Sequence, residues 1–351
     1  MSATRNTPVG TGLIGYGLAG SVFHAPLIGA ESRLRLLAVA SSRSEQIGHE
    51  LPGVHAVADS DALIEDPAVE LVVIASPNAS HVPLAERALR AGKHVVVDKP
   101  LAITRVEAQR LVELANERDR LLSVFHNRRW DHDYLTLRRT VDEGRLGEIY
   151  QYEARYDRFR PQPKPGWREQ PEPGAGVLYD LGAHLIDQAL QLFGLPESVS
   201  ADVQVQRTAA QADDWFQLRL RYGRRRVLLG ASCLVAGPGP HFAVHGDRGS
   251  FVKYGMDGQE AALKAGQRPG MQGWGESADA PLARYTDATG HSEPLASERG
   301  AYERYYRGIA ASILDGLPPP VHAEEACNVI AVIEAALRSS TERREIAWPP
   351  P

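Results

Sequence analysis

Cysteine is scarce in this chain: Cys233 and Cys327 are the only two in 351 residues. Two thiols so far apart do not make a disulfide framework, and neither has further ligands at metal-binding spacing, so no metal is expected. A reducing, cytoplasmic compartment is the expectation. Long apolar runs are missing too. Nothing approaches the ~18 residues of a membrane span. The short polar N-terminus, Met1 to Val9, lacks the apolar core of a secretory signal. No basic block occurs, and 39 Lys and Arg against 44 Asp and Glu leave a net charge of −5. That balance argues against nucleic acid or an anionic membrane as the main partner. Internal repeats and low-complexity tracts are also absent. A composition of 43% hydrophobic and 24% charged residues is that of an ordinary globular protein. The length suits two domains, each able to bury its own core.

Short apolar runs punctuate the first ~125 residues. Thr11 to Ile14, Leu34 to Ala40, Glu70 to Ala75, His94 to Val97 and Leu121 to Val124 are bounded by turn residues, as buried parallel strands are. Helical patterns lie between them. His81 to Ala91 follows possible capping residues at Asn78-Ala79-Ser80 and stops at Gly92. Thr104 can cap a helix whose apolar stripe is Ala108, Leu111, Val112 and Ala115. Strand–helix alternation with short loops predicts an α/β doubly wound parallel sheet.

Gly15-Tyr16-Gly17-Leu18-Ala19-Gly20 falls directly after the first of these strands. In that position G-x-G-x-x-G is the dinucleotide fingerprint. Its glycines allow a tight turn, close backbone approach to pyrophosphate and close helix packing, while the helix N-terminus favours the phosphate charge. An NAD site has an acid about 20 residues on, where it bonds the ribose hydroxyls. Here Ala40-Ser41-Ser42-Arg43 stands there instead. Two hydroxyls and a guanidinium suit a 2′-phosphate, so NADP is preferred, with NAD the alternative. Ser76, Pro77 and Asn78 sit just past another strand, at the edge where ligands bind in open α/β sheets. His81 beside them either lines the same cleft or serves as a capping and packing residue.

The pattern changes after residue ~125. Phe125 to Asp131 opens a helix to about Glu143, and Arg128-Arg129 beside Trp130 suit phosphate contacts or a substrate-cleft wall. Alternating runs at Tyr150 to Tyr156, Val199 to Arg207, Phe216 to Arg221, Arg226 to Ser232 and Phe242 to His245 read as strands with one wet face. Successive strands without helices predict a mostly antiparallel open sheet in a C-terminal α+β domain. The domains are thus 1–125 for the nucleotide and 126–351 for substrate binding and oligomerisation. Arg160 to Pro173 reads as a loop in which Trp167-Arg168 can fold over the cleft. Gly266 to Ser297 reads as irregular. Ala323 to about Thr341 has helical spacing of Cys327, Val329, Ile330, Ile333, Ala336 and Leu337, with Cys327 as core filler.

Two segments carry the chemistry. Val95 to Val97 deliver Asp98-Lys99-Pro100 to a strand end, and Gly174 to His184 place Asp180 and His184 four residues apart, on one face if helical. A lysine, an acid and an imidazole beside a nucleotide fold suit proton transfer coupled to hydride transfer. A non-catalytic NADP-binding sensor would have no need of that set.

On these residues the chain resembles the glucose–fructose oxidoreductase/inositol dehydrogenase (GFO/IDH/MocA) family over nearly its whole length. Gly17 to Ile28, Phe125 to Asp131 and Lys253 to Lys264 resemble the branch that contains NADP-dependent scyllo-inositol dehydrogenases. The resemblance implies a Rossmann domain, a C-terminal domain on a large open sheet, and assembly through that sheet as a homodimer or homotetramer. It implies a polyol or sugar substrate, or another keto-sugar or carbonyl compound. Lys99 would bond the reacting hydroxyl, His184 would be the general base, and Asp180 would orient the substrate. Asp98 stands where most members have Glu. Asn127, Trp167 and Arg168 join Asp98 and Lys99 as candidates for cofactor contact, and Tyr156 joins Lys99, Asp180 and His184 as a candidate for substrate contact.

Overall fold

The computed structural model describes residues 7–276 and 281–349. Residues 1–6 of the polar N-terminus and 277–280 of the stretch read as irregular lie outside the described residues. The chain divides into two compact units.

The first unit combines Met1–Asn127 with two later stretches, Gln259–Gly275 and Ala301–Cys327, which a single boundary near residue 126 does not contain. Its sheet has six parallel strands: β1 (Val9–Ile14), β2 (Leu34–Ala40), β3 (His55–Val57), β4 (Leu71–Ile74), β5 (His94–Val97) and β6 (Leu122–Val124). Their order is β3-β2-β1-β4-β5-β6, the doubly wound arrangement, with every residue of β1 and β4 buried. The helix His81–Arg90 buries His81, Leu84, Ala85, Ala88 and Leu89, the i, i+3, i+4, i+7 stripe of an amphipathic helix. The expected side-chain cap before it is not formed; Asn78–Ser80 make a 3₁₀ turn instead. The helix Arg105–Glu117 has the anticipated Thr104 cap, completed as a capping box by Glu107.

The Ala301–Cys327 stretch joins the first unit through an aromatic cluster. Phe125 lies against His24 and Tyr305, with ring centroids 4.5 and 5.0 Å apart. Ser123 Oγ donates to the Val321 carbonyl at 2.7 Å and accepts from the Tyr305 hydroxyl at 3.0 Å. These buried contacts explain why Ala301–Cys327 folds with the nucleotide sheet.

Among the described residues the second unit holds nine strands: β7 (Ile149–Asp157), β8 (Ser198–Gln204), β9 (Trp215–Tyr222), β10 (Arg225–Ser232), β11 (Phe242–Gly246), β12 (Gly249–Lys253), β13 (Ala283–Asp287), β14 (Ser292–Leu295) and β15 (Ile346–Ala347). The order is β14-β13-β12-β11-β7-β10-β9-β8-β15, antiparallel apart from the β7–β10 pair. The β13–β14 hairpin corrects the irregular reading of Gly266 to Ser297. One sheet face buries Tyr152, Ala154, Phe216, Leu218 and Phe242, while Gln151, Gln217 and Arg219 are exposed on the other. In the helix Ala323–Glu342, Cys327 is buried, and burial pushes its thiol up to about 12, as a core filler requires. Leu337 lies outside the buried stripe. Among the described residues no helix is long and apolar enough to cross a membrane.

Candidate active site

The fingerprint turn follows β1 directly. Gly15 has φ +98°, and a Cβ there would sit 2.6 Å from the Ala75 carbonyl oxygen. A Cβ on Gly20 would meet the Gly15 carbonyl at 2.1 Å, whereas nothing lies within 4 Å of one on Gly17. The outer glycines are therefore demanded by the protein itself. The middle one leaves open space beside the backbone, as a pyrophosphate cradle needs. Ala19–His24 then winds as a π-helical turn. Leu18 is exposed, and the Tyr16 side chain is buried with its hydroxyl donating to Glu50 at 2.8 Å. Tyr16 can thus serve a cofactor only through its backbone.

At the end of β2, the Ser41 side chain accepts from the Arg43 N–H at 3.3 Å. Ser42 and Arg43 are exposed, and the Arg43 guanidinium makes no hydrogen bond or ion pair among the described residues. Ser76 shares a 2.6 Å hydrogen bond with Ser80, and Asn78 is buried. His81 is buried as well. Its ring nitrogens lie 2.7 Å from the Pro100 carbonyl and 2.9 Å from that of Ser76. Of the two roles weighed for it, packing is the one that this geometry fits, because the ring braces the two loops that carry Ser76 and Lys99.

Asp98 accepts from the Lys99 backbone N–H at 2.9 Å. Behind it, burial pushes His24 down to about 4 despite the opposing pull of Asp98, so the ring is neutral. His24 Nδ1 and the Tyr306 hydroxyl share a 2.6 Å hydrogen bond, and Nε2 lies 4.0 Å from Asp98 Oδ1. The shortened acid is therefore held by its own loop. Lys99 is half-buried and is followed by a cis peptide bond to Pro100. Asn127, also in the first unit, is buried.

In the second unit Asp180 lies in a π-helical turn, Leu178–Gly182, and His184 is the second residue of the helix Ala183–Phe193 that continues it. The expected single α-helical stretch is thus a wider turn feeding an α-helix, a form enriched at functional sites. Asp213 anchors the turn, since its carboxylate accepts from the Leu178 N–H at 2.8 Å while burial pushes its pKa up to about 6. His184 is buried, and Asp180 pairs with Arg168 at 3.4 Å. Arg168 also stacks on Trp167 at 4.5 Å, and Arg207 ties Glu169 of the same loop to Asp214. The loop expected to cover a cleft is thereby fastened beside Asp180.

Arg129 is neither a phosphate contact nor a cleft wall. It makes a bidentate ion pair with Asp187, Nε to Oδ2 at 2.8 Å and Nη2 to Oδ1 at 2.6 Å, with the side chains 7% and 3% exposed. Residue types alone give no hint of this clamp, because its partners are 58 positions apart. Tyr156 is likewise a core residue in this unit, its ring 4.7 Å from that of His241 and covered by the Arg128 guanidinium at 5.4 Å. Lys99 belongs to the first unit and Asp180, Arg168, Tyr156 and His184 to the second. Among the described residues no group of three or more His, Cys, Asp or Glu is placed to hold a metal ion.

Comparison with known proteins gives matches along almost the whole chain. Residues 9–126 match the family model of the oxidoreductase family NAD-binding Rossmann fold, and residues 138–348 match that of its C-terminal alpha/beta domain. The scyllo-inositol 2-dehydrogenase (NADP(+)) IolW of Bacillus subtilis is 42% identical over 95% of this chain and 94% of its own. The uncharacterized oxidoreductase YdgJ of Escherichia coli is 44% identical over 95% and 96%. The solved structure of yvaA from Bacillus subtilis superposes with a TM-score of 0.95, at 42% identity, over 98% of this chain and 99% of that one.

Proposed function

The chain belongs to the GFO/IDH/MocA oxidoreductase family, and from that premise we propose that it acts on a cyclic polyol or sugar with NADP, in the manner of scyllo-inositol oxidation or inosose reduction. The observation that carries this reading is the nucleotide end of the first unit. There, the open flank of Gly17 and the uncommitted Arg43 at the tip of β2 suit a pyrophosphate and a 2′-phosphate. The near full-length likeness to a relative named for NADP and scyllo-inositol supports the substrate class.

Gly15 to Gly20 would hold the pyrophosphate, Ser41, Ser42 and Arg43 the 2′-phosphate, and the Ser76–Asn78 loop the adjoining part of the cofactor. When bound, the nicotinamide supplies or accepts the hydride. Lys99 would donate a hydrogen bond to the reacting oxygen. His184 would take the hydroxyl proton in oxidation and return it in reduction, and Asp180 would orient the substrate.

The test follows NADPH absorbance with purified protein across inositol isomers, inososes and simple sugars. Turnover of an inositol or inosose is the expected result. Turnover of a keto-sugar alone would move the substrate, and tight NADP binding with no turnover would favour a sensor. In the same assay Arg43→Ala should weaken NADP about tenfold or more and leave NAD nearly unchanged, because a charge-assisted contact is lost. Equal weakening of both cofactors would remove Arg43 from phosphate recognition.

The sheet face of the second unit that exposes Gln151, Gln217 and Arg219 is assigned to a second copy of the chain. Light scattering at micromolar concentration should give a dimer or tetramer mass, and a lone 38.3 kDa species would exclude that assignment.

A further inference from the structure

Arg158 stands two residues beyond Tyr156, at the end of β7. Its N–H donates to the Ser232 carbonyl at 2.9 Å and its carbonyl accepts from Val235 at 3.1 Å, so Arg158 stays extended between the parallel β7–β10 ladder and an antiparallel bridge from Phe159 to Leu234. Side chains alternate along such a strand, which places Arg158 on the face of Tyr152, Ala154 and Tyr156. That face carries the Asp180–His184 segment. The 178–182 turn packs against β10, and a Cβ on Gly182 would lie 3.3 Å from the Phe216 ring. Phe216, Ala231 and Tyr156 are cross-strand partners in one row, and Arg158 follows Tyr156 by two positions, just past the end of β7.

Three acids of the surrounding segments are claimed by other arginines. Asp157 binds Arg155 through both carboxylate oxygens, at 2.7 and 3.1 Å. Asp214 binds Arg207 at 2.7 Å, and Asp180 pairs with Arg168. Among the described residues Arg158 makes no side-chain hydrogen bond or ion pair, and its Nε is buried without a partner. A guanidinium carries five N–H donors and stays charged, so a buried Nε–H without an acceptor is costly unless a ligand or water supplies one, and the half-buried head leaves the other donors available to a ligand.

We propose that Arg158 is a substrate-contacting residue that sets specificity, its guanidinium donating to a pair of substrate oxygens on the side of the molecule away from the reacting carbon. The paired oxygens belong either to two adjacent hydroxyls of a polyol or to a carboxylate. This rests on the polyol or sugar reading above and adds to it a requirement for that oxygen pair.

The test is calorimetric titration of the NADP-loaded protein with scyllo-inositol and, separately, with D-glucuronate, for the native chain, Arg158→Lys and Arg158→Gln. NADP affinity and the far-ultraviolet spectrum of each variant check the fold. At least one probe should bind the native protein. Its affinity should fall at least about tenfold in Arg158→Gln and be partly kept in Arg158→Lys, with NADP affinity unchanged. A loss confined to scyllo-inositol marks the hydroxyl pair, and one confined to D-glucuronate marks the carboxylate. Equal binding of the probes by native protein and Arg158→Gln overturns the proposal, as does no binding of either. Failure of the functional reading is told apart by the turnover screen, which does not involve Arg158 variants.

Discussion

Lys99→Ala and His184→Ala are each expected to lower turnover by ~10²–10⁴-fold, the usual contribution of a positioned acid or base. NADP affinity should stay within a few-fold of normal, because in the proposed binding mode the fingerprint turn and Arg43 would engage the far end of the cofactor. The double variant should lose less than the product of the single losses, since groups acting on one proton transfer are not additive. Stopped-flow NADPH absorbance and a fluorescence titration of NADP separate the two effects. Asp180→Asn should act mainly on substrate affinity. Near-normal turnover in either alanine variant, with an active substrate in hand, would move the catalytic role to other residues.

A comparably large effect is expected on stability. Arg129 and Asp187 are buried together in a bidentate ion pair, so removing one takes the opposite charge away from the other. Arg129→Ala should therefore cost about 3–5 kcal/mol, measured by urea unfolding. Replacing both, Arg129→Met with Asp187→Leu, should restore most of it, because neither charge is then stranded. A loss below about 1 kcal/mol in Arg129→Ala would mean that water reaches the pair. Asp187 lies one turn beyond His184 on the same helix, so the single variant should also lower turnover, and the double variant should lower it less.

The first sheet was legible because β1, β2, β4, β5 and β6 are compact, mainly apolar runs, with β1, β4 and β6 buried at every position. β3 was not, since His55 and Ala56 are exposed and leave no apolar run. The β13–β14 hairpin escaped for a related reason: each strand has one buried residue among its exposed and half-exposed ones, so no alternation is written into it. At the site, Gly15, Gly20 and the Thr104 cap follow from local backbone requirements and could be read directly. Lys99 stands out because of its strand end and its proline. Arg129, Arg158 and Asp213 could not be read in this way. Their roles depend on which acids and amides the fold brings to them, or withholds, and single-sequence patterns do not record such pairings.

The Phe125 cluster bears on how this architecture can be inherited. The nucleotide unit looks like an exchangeable N-terminal cassette when it is read along the gene, yet it is completed by Tyr305, Tyr306 and Val321 near the opposite end. Recombination at the apparent domain junction would separate His24 from Tyr306 and Ser123 from Val321, leaving buried polar groups and an aromatic face without their complement. Only exchanges that carry Gln259–Gly275 and Ala301–Cys327 together with the first 127 residues keep the unit whole. New substrate specificities in this architecture are thus expected to arise by substitution within a fixed pair of units, and seldom by trading one unit for another.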